Sequence, residues 1–251
     1  MPRSFLPFVI AFLTLLAFSP AAPAQAPPAP KQPSGASAPQ HDLNGVWLIT
    51  SRAQGLSKQP PAFTAEGKAR FDADKPGFGP RAVPGGNDPI NHCDPMGLPR
   101  SLLTDQAIEF VETPGRMLQF IEWNHTWRDI WTDGRTLPKD PEPKWFGTSV
   151  GRWQGDTFVV ETAGFDDRTW LDSLGYPHSE TMRVEERYQR VDHNTLELTI
   201  TLEDPVIYSK PWVSDKKIFK LQPQQGLKEA YCVGSEWESF NERMRDPANG
   251  K

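Results

Sequence analysis

His178 is the strongest acid–base candidate in the chain. It stands in Gly175-Tyr176-Pro177-His178-Ser179-Glu180, a loop leading into a strand, and loops held by a rigid scaffold are where functional groups concentrate. Asp166, Asp167 and Asp172 lie just upstream. A carboxylate bonded to one ring nitrogen would fix the imidazole tautomer and leave the other nitrogen free to move a proton. The competing reading is a histidine that caps its own loop through backbone hydrogen bonds.

Residues 122–131 form the second group. On an extended strand, Trp123, His125, Trp127, Asp129 and Trp131 share one face, and Glu122, Asn124, Thr126, Arg128 and Ile130 share the other. If the tryptophan face points into a barrel, His125 and Asp129 sit among aromatic walls suited to a planar ring or a sugar face. If the opposite face points inward, Glu122 and Arg128 form an interior ion pair. Such a pair is able to hold a carboxylate, or it is purely structural. The sequence leaves both open.

Cys93 and Cys232 are the only cysteines. In an exported chain a disulfide is the favoured reading. It would pin a long early segment to the end of the chain, with a chain-entropy contribution of about 5 kcal/mol at most. His92, His125 and His178 with nearby acids are a weak metal candidate, because no HxH, HExxH or CxxC spacing accompanies them. No glycine-rich phosphate loop follows a strand, so no cofactor is implied.

The elements that must position these groups read as mainly β. Asn44-Gly45-Val46-Trp47 opens a first strand, with Gly45 permitting close backbone approach and Trp47 able to plug a barrel end. Further strands are expected at Ile108–Glu112, Met117–Trp123, Thr126–Trp131, Ser149–Trp153, Thr157–Thr162, Met182–Val191, Leu196–Leu202, Lys217–Leu221 and Leu227–Val233. Short hairpin turns such as Gln154-Gly155 join several of them. An antiparallel up-and-down barrel, or a strongly curved sheet, closes such a set without exposed edges. Residues 51–100 form a long lid-like excursion with one short helix, Thr64–Asp72, capped by Thr64. A second helix is expected after Ser235. Glu185, Glu186 and Arg187 read as a solvated strand face with one inward member, and Trp145, Trp153, Trp170 and Trp212 read as barrel core before ligand platform.

At the N-terminus, Arg3 precedes an apolar run from Phe5 to Phe18, and Ala22-Pro23-Ala24 supplies a small-x-small cleavage pattern. Residues 1–24 are therefore expected to be a signal peptide, since the run is shorter than the roughly 20 apolar residues that span a bilayer. Residues 25–40, rich in proline and alanine, are expected to be an unstructured linker, leaving 41–251 as a single barrel-like domain.

Two resemblances follow from these residues. Gly45-Val46-Trp47 resembles the Gly-x-Trp opening of lipocalin-like (calycin) barrels. A broader pattern is similar to a family of uncharacterised exported proteins of soil and environmental bacteria. It runs from Asn91-His92-Cys93-Asp94-Pro95-Met96-Gly97-Leu98-Pro99-Arg100 through Trp131-Thr132-Asp133-Gly134-Arg135 and Gly151-Arg152-Trp153-Gln154-Gly155-Asp156-Thr157. It continues in Trp170-Leu171-Asp172, the His178 loop, Glu203-Asp204-Pro205 and Tyr231-Cys232. The resemblance implies a barrel and a periplasmic or secreted location, and supplies no reaction.

A net charge of −5 with 24% charged residues argues against nucleic acid as a partner. Three functions remain. The first is a lipocalin-like module binding a small apolar, aromatic or sugar-like molecule in a barrel pocket. The second is a cofactor-independent lyase, isomerase or hydrolase using His178 with Arg128 and a carboxylate, Asp172 or Glu122. The third is a structural or interaction protein of the envelope.

Overall fold

A computed structural model describes residues 37, 39, 41–51 and 55–248. The expected signal peptide and nearly all of the expected linker lie outside the described residues. The fold is a closed nine-stranded β-barrel with a few short helices. Its strands are β1 (Gly45–Ile49), β2 (Ile108–Thr113), β3 (Arg116–Ile121), β4 (Thr126–Trp131), β5 (Thr148–Gln154), β6 (Thr157–Ala163), β7 (Arg183–Asp192), β8 (Thr195–Glu203) and, after the two-residue β9 (Trp212–Val213), β10 (Lys217–Leu221). β10 pairs with both β8 and β1 and closes the ring, while β9 adds to the far end of β8.

One neighbour pair departs from the expected antiparallel order. β4 and β5 run parallel, and only Ile130↔Ser149 and Trp131↔Val150 are in register. An odd number of strands makes this unavoidable, because directions cannot alternate all the way round a closed ring of nine. Parallel neighbours cannot be joined by a tight hairpin, so a crossover is needed. Residues 132–147 supply it on the outside of the barrel.

Directly opposed residues in a sheet share a face, so the register fixes which side chains point inward. The inward circuit passes Trp47↔Ile108, Phe110↔Gln119, Gln119↔Arg128, Ile130↔Ser149, Ser149↔Thr162, Val160↔Glu186, Tyr188↔Leu198 and Lys217↔Leu198. The apolar members of this circuit are buried, as are Phe158 and Phe219 on the same inward face, with Trp47, Phe110, Phe158, Tyr188 and Phe219 the largest.

Trp47 plugs one end as its sequence context suggests. Its indole donates to Leu43 O at 2.9 Å, and the Arg190 guanidinium lies 5.0 Å above the ring while donating to Asp42 O and His193 O. Gly45 has φ +123°, and a Cβ there would meet the Leu221 side chain at 2.8 Å. The opposite end is covered by residues 55–100 of the excursion. Thr64 caps α1 (Ala65–Ala73), accepting from Gly67 N at 2.9 Å, which places the helix one residue from its expected span. α1 lies against the 204–209 turn so closely that a Cβ on Gly67 would fall 2.0 Å from Ile207 O. Phe63, Phe71, Tyr176, Tyr208 and Trp212 form one aromatic cluster beneath it. A buried bidentate pair, Arg100 to Asp88 at 2.7 and 2.6 Å, ties the later part of the excursion to itself.

The expected last strand, Leu227–Val233, does not form. That segment is an irregular strap over the 122–125 turn, held by Lys228 N to Glu122 Oε2 at 3.0 Å and Cys232 N to Asn124 Oδ1 at 2.6 Å. The ring is already closed by β10, which pairs with both β8 and β1, and the backbone of this segment bonds to the 122–125 turn instead. The disulfide Cys93–Cys232 is formed and joins the strap to the excursion. Helix α2 (Gly234–Phe240) and a helical continuation to Ala248 follow. Among the described residues no helix is long and apolar enough to cross a membrane.

Gly67→Ala is expected to destabilise the fold by about 1–3 kcal/mol, the usual cost of forcing volume into a closed contact. The higher helix propensity of alanine offsets part of this. Urea unfolding of both forms measures the difference, and an equal or raised midpoint would contradict the tight docking of α1.

Candidate functional site

The centre of the barrel holds a polar network. Arg128 on β4 and Glu186 on β7 meet across the lumen in a bidentate pair at 2.8 and 2.5 Å, with both side chains essentially inaccessible. Arg128 Nε donates to Gln119 Oε1 at 2.7 Å, and Gln119 Nε2 donates to Tyr188 Oη at 3.1 Å. Tyr188 Oη donates to Glu186 Oε2 at 2.6 Å, closing the loop. Ser149 and Thr162, bonded to each other at 2.9 Å, accept from Arg128 Nη1 at 3.4 and 3.5 Å. Burial pulls the Arg128 guanidinium down, but the Glu186 charge facing it holds it above its ordinary value. Burial, reinforced by the Glu186 charge, pushes the Tyr188 phenol well up, so it remains a neutral donor.

Arg128 is thus inward, as one of the two readings of this strand required. Its partner is Glu186 and not Glu122. Glu122 sits at the end of β3 and accepts from the strap, while the chain turns at Trp123–His125 before β4 begins. The single extended strand expected over 122–131 is therefore broken. Asn124 and His125 have positive φ, 55° and 45°. His125 Nε2 bonds Lys228 O at 2.7 Å and its ring stacks on Tyr231 at 4.8 Å. Trp123 packs against the core.

Trp127, Asp129 and Trp131 lie on the outer face of β4. Their setting is the seam left by the short β4–β5 pairing. A groove of about 300 Å³ lies there, and Trp127, Trp131 and Trp145 line it together with Arg128 and Ser149. Trp127 is 58% exposed and is the most exposed tryptophan of the fold. Two clips of the same design support the other rings. Arg135 folds back on Asp133 and places its guanidinium 3.7 Å from the Trp131 ring centre, and Arg168 folds back on Asp166 and sits 4.2 Å from that of Trp145. Asp129 is paired with Arg116 at 2.8 Å. The crossover is stitched to the 164–166 segment by Lys144 N to Gly164 O and Asp166 N to Lys144 O, both 3.0 Å.

No family model, curated protein or solved structure matches the chain.

His178 lies elsewhere, under the excursion, and is almost fully buried. Its Nε2 is bonded to Thr169 Oγ1 at 2.7 Å and its Nδ1 lies 3.2 Å from Ser179 O. Burial pushes its pKa down, favouring the neutral ring. Both ring nitrogens are thus occupied by partners within its own loop region, the arrangement of a loop-capping histidine. The neighbouring loop is fixed by Asp204, which accepts from Ser179 N at 2.6 Å and Ser179 Oγ at 2.8 Å. Asp172 accepts from Leu56 N at 3.0 Å and Leu174 N at 2.8 Å, and burial pushes it up to about 6. The structure does not bring His178, Asp172 and Glu122 into the Arg128 network: none of them shares a hydrogen-bond partner with it among the described residues. Nor do His92, His125 and His178 meet, and no group of three or more His, Cys, Asp and Glu is placed to hold a metal among the described residues.

Gln119, Ser149, Thr162, Tyr188, Lys144 and Trp145 were not singled out as site residues by sequence reasoning. Strand parity was the available signal. Val184, Glu186 and Tyr188 alternate with exposed or half-exposed neighbours, so an inward Glu186 was foreseeable, whereas its partner was not.

Glu186→Gln strands the buried guanidinium and is expected to cost about 3–5 kcal/mol, while Arg128→Met with Glu186→Leu costs much less than the single change. A chemical-denaturation double-mutant cycle of Arg128→Met, Glu186→Leu and the two together measures this, and a loss in the double variant equal to the sum of the two single losses would refute the coupling.

Asp172 titrates from 3.8 in the unfolded chain to about 6 when folded, so the folded state binds more protons in that window. Its contribution to stability falls as pH rises from about 4 to about 6. Asp172→Asn is therefore expected to gain up to about 3 kcal/mol relative to the parent across that window. His178, with its pKa lowered, acts in the opposite sense as pH falls below its ordinary 6.5 and is common to both proteins. A stability difference that stays constant from pH 4 to 6 would overturn the assignment.

Proposed function

We propose that the chain is an exported, lipocalin-like binding protein whose ligand, a small planar aromatic or sugar-like molecule, lies in the β4–β5 seam groove. The observation that carries this reading is the gathering of Trp127, Trp131 and Trp145 around one groove, with the Trp127 ring open to solvent. Tryptophan gives a large, rigid contact area at small entropic cost, and its face stacks on aromatic rings and on apolar sugar faces. The inward positions of the barrel are filled by buried apolar side chains around the bonded Arg128–Glu186 network, which directs the ligand to the seam instead of the lumen.

The lipocalin-like part of the reading is supported by the closed barrel and by Trp47 plugged under Arg190. Nine strands with one parallel pair distinguish it from an eight-stranded up-and-down barrel. Export is supported by the apolar 5–18 run before Ala22-Pro23-Ala24 and by the formed disulfide, since disulfides persist in oxidising compartments.

Titration of the protein's tryptophan emission with aromatic and sugar probes tests the site. Trp127→Ala is expected to weaken binding at least about tenfold with little change in unfolding midpoint, because its ring is mostly solvent-exposed in the free protein. Affinity that survives Trp127→Ala unchanged would place the ligand elsewhere.

A further inference from the structure

The charges around the groove allow its ligand class to be narrowed. Asp129 is neutralised by Arg116 at 2.8 Å, and Arg128 by Glu186 at 2.5 Å. Asp133 is taken by Arg135 and Asp166 by Arg168, both at 2.6 Å. The Lys144 side chain lines the same groove, is exposed, and has no hydrogen-bond or ion-pair partner among the described residues. Its position is not left to chance: its backbone is stitched on both sides to the 164–166 segment. The groove therefore offers one open aromatic face, Trp127, and one uncompensated positive charge.

Resting on the seam-groove reading above, we propose that the ligand is a small aromatic carboxylate, with its ring on Trp127 and its carboxylate on the Lys144 ammonium. Size agrees. About 300 Å³ lies at the small end of ligand sites and suits one or two rings. Charge agrees as well, since Asp129, the carboxylate that lines the groove, and the nearby Asp133 and Asp166 each have a guanidinium partner. Trp131 and Trp145 carry guanidinium groups over their rings, which leaves Trp127 as the stacking platform.

The test uses the disulfide-intact protein and three probes: 4-hydroxycinnamate, its uncharged amide, and phenyl β-glucoside, each titrated calorimetrically at low and high salt. The carboxylate is expected to bind about fivefold tighter than the amide at low salt, with the advantage shrinking at high salt. Lys144→Met is expected to bring the carboxylate down to the amide's affinity. Equal binding of carboxylate and amide, or a preference for the glucoside, overturns the anionic selection while leaving the groove reading in place, provided Trp127→Ala abolishes that binding. Binding of no probe, or binding indifferent to Trp127→Ala, removes the groove reading and the proposal with it.

Discussion

The Arg128–Glu186 pair sets the terms for the rest of the barrel. A charged pair at the centre of a closed lumen is tolerated only if both partners are present and every remaining donor and acceptor is satisfied. Gln119, Tyr188, Ser149 and Thr162 meet that demand, and each comes from a different strand or from a different turn of the ring. Five strands are thereby held in one relative register. A slip by one residue in any of them would turn a polar group outward and leave another buried without a partner. Apolar layers on either side, Trp47 and Phe110 among them, supply the burial that makes such a centre affordable.

The second constraint is parity. Nine strands cannot alternate in direction around a closed ring, so one seam is parallel, and a parallel seam requires a crossover. The crossover runs along the seam and brings Lys144 and Trp145 beside Trp127 and Trp131. The groove is thus a consequence of the ring's closure and not an addition to it. The Asp-x-Arg clips at 133–135 and 166–168 then fix two of its three tryptophans from the outside.

Covering the other end takes a different set of interactions. The excursion is docked by Gly67 against Ile207 and by Cys93–Cys232, and is braced internally by the Asp88–Arg100 pair. His178 and Asp172, prominent in the sequence, belong to this cover. Their hydrogen bonds go to backbone and to Thr169, and the functions that their residue types suggest are taken up by holding loops in place.

Much of this was legible in the sequence. Alternation gave most strands to within a residue or two, Thr64 announced its helix, and Gly45-Val46-Trp47 marked the plugged end, because these are local signals of period, cap and turn. The two cysteines, in a chain with an export pattern, pointed to their pairing. What required the tertiary structure was everything decided by partners distant in sequence. Parity along β4 placed Arg128 opposite the tryptophans, but only closure of the ring decided which face was inside and that Glu186, not Glu122, would meet it. Leu227–Val233 carries a strand-like pattern and became a strap because β10 already closes the ring and the 122–125 turn takes up its backbone donors. The seam groove has no linear motif at all. It exists because two parallel strands and their crossover converge in space, and sequence spacing carries no record of that convergence.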